Sequence, residues 1–114
     1  MTTIYKIVAA TEWRAAEAAS VFRGAAIDLA DGYIHFSTAA QVEETAAKHF
    51  ARQRDLLLVA IDAARLGDAL KWEVSRGGAL FPHLYALLSP GAVTRVDPLP
   101  LCDDGRHDFS GLLG

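Results

Sequence analysis

The chain has 114 residues, 52% of them hydrophobic, with a formal net charge of −3 and one cysteine. The length suits one domain spanning residues 1–114, and the apolar content excludes global disorder. No basic stripe supports nucleic-acid binding, no apolar run approaches the roughly 20 residues of a membrane span, and Cys102 has no partner for an internal disulfide. The opening MTTIYKIVAATEW lacks the basic-then-apolar layout of a signal peptide, so the expectation is a soluble cytoplasmic protein. Nucleic acid and membrane are not expected partners. A small-molecule ligand is, and the oligomeric state stays open.

Ile4 to Ala9 reads as a first strand, with Ile4, Lys6 and Val8 on one face and Tyr5, Ile7 and Ala9 on the other. Thr11 can cap a short alanine-rich helix from Glu12 to Ser20, anchored by Trp13. Phe22 to Leu29 is ambiguous, and Asp31-Gly32 marks a turn. Tyr33 to Phe36 reads as a strand. Thr38 and Gln41 have capping-box spacing, which predicts a helix from about Ala39 to Arg52. Leu56 to Ile61 is a continuous apolar run, the pattern of a buried central strand. Ala63 to Gly67 reads as a helical turn. Leu70 to Val74 alternates, with Lys71 and Glu73 on the polar face. Gly77-Gly78 opens a loop, Pro82 interrupts the next segment, and Leu84 to Leu88 fits strand or helix. Val93 to Leu99 is the last strand, followed by a polar tail from Asp103. Strands outnumber helices and connections are short, so an α+β fold with mixed or antiparallel pairing is expected over a doubly wound parallel sheet.

Several polar side chains interrupt this apolar pattern. His35 lies between Ile34 and Phe36, just before Ser37 and Thr38 at a helix start, where free amides suit a polar ligand. A structural histidine and a simple helix cap are the alternatives. Glu73, between Trp72 and Val74, faces either solvent or a cleft where Lys71, Arg76 or a ligand meets it. Arg76 can clamp an anion or remain a solvated loop residue. His83 sits in FPHLY, two residues before Tyr85. No His-x-x-x-His or Cys-x-x-Cys spacing supports a metal site, and no Gly-x-Ser-x-Gly elbow is present.

IYKI, DGYIHFSTAAQV, DLLLVAID, LKWEVSRGG and FPHLYALL together resemble the small bacterial family catalogued as domain of unknown function 952. The resemblance spans almost the whole chain in order. It implies the fold of the ADP-ribosyltransferases, two small curved sheets that form a cleft flanked by helices, with NAD as the ligand or substrate. On that basis His35 and Glu73 are the expected catalytic pair. Lys6, Ser37, Thr38, Arg76, His83 and Tyr85 are expected to bind ligand, with Tyr5 beside Lys6 at the first-strand position. The rival expectations are a non-catalytic small-ligand site and a partner-binding domain.

Overall fold

A computed structural model describes residues 2–113, with only the backbone of Arg76 included. Strand β1 (Thr3–Ala9) runs through the middle of the larger sheet, between β3 (Ser37–Thr38) and β4 (Leu56–Asp62), and β7 (Val93–Leu99) closes the far edge. All these pairings are antiparallel. Strand alternation splits the side chains between two cores. Ile4, Val8, Leu57, Val59 and Ile61 enter one, and Tyr5, Ile7, Leu56, Leu58, Ala60 and Leu99 enter the other. Both faces of β1 and β4 are therefore covered, which explains why Leu56 to Ile61 carries no polar residue.

Helix α1 (Ala10–Ala19) puts Trp13 and Ala16 into the first core. It starts at Ala10, not at Glu12, because the chain passes from β1 straight into the helix with Ala9 as N-cap. Thr11 therefore lies inside the first turn. Helix α3 (Ala39–His49) buries Val42 and Ala46 in the second core. Gln41 Oε1 accepts the Thr38 amide at 3.0 Å, the reach-back half of the capping box. The helix stops at His49, three residues short of Arg52.

The smaller sheet is also antiparallel, in the order β2 (Ile34–His35), β6 (Leu80–Leu84), β5 (Leu70–Val74). Ile34 and Leu84 point from it into the first core. Pro82 lies inside β6 and does not end it. Its carbonyl accepts the Phe36 amide at 3.0 Å. Since N and O of one extended residue point to the same flank, the missing amide falls on the β2 side, where pairing stops at His35. The expected strand from Tyr33 to Phe36 is divided. At Phe36 the chain leaves the smaller sheet, and at Ser37 it joins the larger one. Among the described residues no helix is long and apolar enough to cross a membrane.

A carboxylate-anchored histidine pair

Lys6 occupies a core-facing position on β1 and is 7% exposed. A buried ammonium needs a counter-charge. Asp28 supplies it from helix α2 (Ala26–Asp31), at 3.0 Å and with only 2% exposure. The helix is inverted, with its charge turned inward while Ile27 and Leu29 face out. Gly24, at φ +118°, permits the approach, since a Cβ there would lie 2.8 Å from the Asp28 Cβ. Gly32, at φ +86°, then ends α2 and turns the chain into β2.

Asp28 is also where β2 is tied down. It accepts the Ala25 amide at 2.8 Å, the His35 amide at 3.0 Å and His35 Nδ1 at 2.6 Å. Lys6 Nζ adds a bond to the His35 carbonyl at 2.8 Å. Burial pushes the Asp28 carboxyl up, but the His35 hydrogen bond, the Lys6 charge and the two amides outweigh it and hold the group at about 2. Burial lowers the Lys6 ammonium, and the charge of Asp28 opposes that shift. The second nitrogen of His35 meets Asp31 Oδ2 at 2.9 Å, so the ring can donate to both carboxylates as an imidazolium.

His83 stands directly across from His35 in the β2–β6 register, and the two rings meet edge to face at 5.4 Å between centroids. His83 Nδ1 is 2.8 Å from Glu73 Oε1, and Tyr85 Oη donates to the same oxygen at 2.7 Å. Among the described residues His83 Nε2 has no hydrogen-bond partner. The Tyr33 ring covers the group, at centroid distances of 4.2 Å from His83, 4.7 Å from His35 and 5.2 Å from Tyr85. His83 is left 4% exposed. The bonds from Tyr85 and His83 hold the Glu73 carboxyl below its ordinary range, and Glu73 pushes the Tyr85 phenol up to about 12. Tyr33 is raised by desolvation and by the charges of Asp31 and Glu73. Beside the cluster, Lys71, Trp72, Glu73 and Tyr85 line a shallow groove.

His35, His83, Glu73 and Tyr85 are thus neighbours on the outer face of the smaller sheet. Lys6 lies beneath them and reaches them through Asp28. Ser37 does not join them. Past the crossover at Phe36, its hydroxyl bonds Thr45 on α3 at 3.0 Å. Thr38 pairs with Ile4 at the edge of the larger sheet and starts α3. Tyr5 points into the second core. The Arg76 side chain lies outside the described residues. Sequence reasoning missed Asp28, Asp31 and Tyr33. Lys6 within an apolar strand signals a hidden counter-charge, but nothing local says which acid supplies it. Among the described residues no three His, Cys, Asp or Glu side chains are grouped to hold a metal ion.

The architecture defines a class first: a small α+β chain of two antiparallel sheets, the lesser bearing a carboxylate-held histidine pair. Residues 7–96 match the family described as "Protein of unknown function (DUF952)", and the chain belongs to that family. It is similar to protein CC0527 from Caulobacter crescentus. The crystal structure of that protein is 52% identical over 96% of both chains, with a TM-score of 0.93. Its solution NMR structure is 52% identical over 99% of this chain and 97% of that one, with a TM-score of 0.88. No curated protein matches.

Proposed function

We propose that the outer face of the smaller sheet binds a small nucleotide-like ligand, with NAD as the first candidate. One observation carries this reading: Glu73 fixes the Nδ1 side of His83, while Nε2 has no partner among the described residues. A histidine held on one side presents the other nitrogen in a set direction to a hydroxyl or phosphate. The Tyr33 and Tyr85 rings beside it suit a planar base or nicotinamide. Tyr33 is half-buried, so rotation of its side chain opens a way to His83.

ADP-ribosyl transfer is the finer form of the same reading. It requires a carboxylate to face the sugar, and Glu73 is the candidate. Both of the bonds described for it fall on Oε1, so it orients His83 through that oxygen, and transfer would have to use Oε2. The test is a thermal-shift and calorimetric titration with NAD and ADP-ribose. A ligand at a hundred times its dissociation constant adds about 2.7 kcal/mol to stability. The expected result is a shift in the natural chain that disappears in His83→Ala. No shift with either compound overturns the nucleotide reading, and the cluster is then a self-satisfied brace for the sheet. Nicotinamide release under the same conditions separates transfer from binding.

A further inference from the structure

Strand β5 is the outermost strand of the smaller sheet, and its only edge guards are the two opposite charges of Lys71 and Glu73. Strands β2 and β3, which end the two sheets elsewhere, are two residues long. Edge strand β7 contains Pro98 and an Arg95–Asp97 ion pair at 2.6 Å, and its register with β4 shifts at Ala60/Ile61. By contrast, β5 is five residues in unbroken register with β6, with no proline and no bulge. Trp72 and Val74 on it are 42% and 70% exposed.

The backbone groups of β5 divide cleanly between its two flanks. Ser75 N donates to Ala79 O, and Ala69 O accepts from Tyr85 N, so positions 69 and 75 bond toward β6. By alternation Lys71 and Glu73 do the same, while Trp72 and Val74 direct their N–H and C=O to the open flank; Leu70 turns its C=O there too, but its N–H already donates to Gly67 O in the turn before the strand. Pro82, opposite Trp72, fits this division because it has no amide to donate.

We infer that this edge pairs with β5 of a second copy of the chain, antiparallel and two-fold symmetric about Trp72. The sequence LKWEV is complementary to itself in that register. Leu70 faces Val74 of the second copy, Trp72 faces Trp72, and Lys71 faces Glu73. The Trp72 pair exchanges both backbone bonds, and each Leu70–Val74 pair adds the bond from the Val74 amide to the Leu70 carbonyl. The opposite charges fall at non-hydrogen-bonded pairs, where side chains approach most closely. Parallel pairing in the same register would set Lys71 against Lys71 and Glu73 against Glu73. The antiparallel dimer makes one six-stranded sheet, with Glu73 of each candidate site beside Lys71 of the other copy. Such an isologous contact is closed and does not propagate into fibres.

Sedimentation equilibrium and amide exchange test this. The natural chain is expected to approach twice its 12.3 kDa mass as concentration rises. The amides of Trp72 and Val74 should become protected over the same range. Lys71→Glu alone and Glu73→Lys alone each place like charges across the axis, and each is expected to weaken association at least tenfold. Mixed in equal amounts they restore opposite charges at both pairs, so the mixture is expected to re-form a dimer. Circular dichroism confirms that each variant is folded. A chain that stays monomeric at millimolar concentration overturns the inference. So does a dimer whose Trp72 and Val74 amides exchange freely, or a mixture that fails to associate. Because the wild-type exchange measurement needs no variant, a misfolded variant leaves the inference still falsifiable. The ligand reading stands or falls separately.

Discussion

The two sheets solve the same burial problem differently. In the larger sheet, β1 and β4 are covered on both faces, and Lys6 is the one charged side chain turned into the first core from those strands. In the smaller sheet the inner face is apolar and the outer face is mixed, with Phe81 buried on it beside polar groups. Its outer face carries His35, His83, Glu73 and Tyr85, each bonded to another polar side chain. A sheet covered on both sides can vary only in packing. A sheet with one free face can hold titratable groups at modest desolvation cost, which is where chemistry becomes affordable. The Lys6–Asp28 pair joins the two, carrying a buried charge from the larger sheet to the first strand of the smaller one.

That junction is the place to break first. Asp28→Ala strands the Lys6 ammonium in the core and removes the acceptor of the His35 amide. A loss of about 3–5 kcal/mol is expected in urea unfolding. A loss below about 1 kcal/mol means that Lys6 finds water or another acceptor, and that the two sheets are not coupled through this pair. Ile61→Ala tests the larger sheet alone. It removes a fully buried side chain from the first core and is expected to cost about 2–5 kcal/mol, with amide exchange at His35 and His83 changing little beyond the global effect.

Acid sharpens the same contrast. The folded Asp28 carboxyl titrates at about 2, below its ordinary value of 3.8, so the folded state resists protonation more than the unfolded state does. Its contribution, about 2 kcal/mol, is complete above pH 4 and is lost as pH falls through 2. Asp28→Asn should be less stable near neutrality and should lose that part of the acid limb. An unchanged limb assigns the acid sensitivity to other carboxylates.

The smallest expected effect lies on the outer face. Glu73→Gln replaces the carboxylate whose hydrogen bond, ahead of desolvation and charge, raises the Tyr85 phenol. That phenol should then titrate below about 12, still raised by desolvation, with little change in melting temperature. Ultraviolet titration against Tyr85→Phe assigns the signal. A Tyr85 transition that stays near 12 in Glu73→Gln would show that the Glu73 carboxylate does not set it.

Strand β5 begins and ends where its alternation predicts, β7 covers the expected Val93 to Leu99, and α3 begins where Thr38 and Gln41 place it. These features rest on neighbours within a few residues, and local chemistry is enough to specify them. The α+β class follows from the same local pattern. His35, Glu73, His83 and Tyr85 were also visible singly, as polar groups interrupting apolar strands. Their grouping was not, because it depends on β2, β5 and β6 lying side by side, and these span residues 34 to 84. Two features belong wholly to long-range contact. One is the break at Phe36, which separates His35 from Ser37: alternation assumes one continuous sheet, and only packing shows where the chain changes partners. The other is the choice of Asp28. The buried lysine announces that an acid must come, but which of the chain's 14 acidic residues arrives is decided by Gly24, the short helix α2 and the distance between charges in a medium that water does not screen.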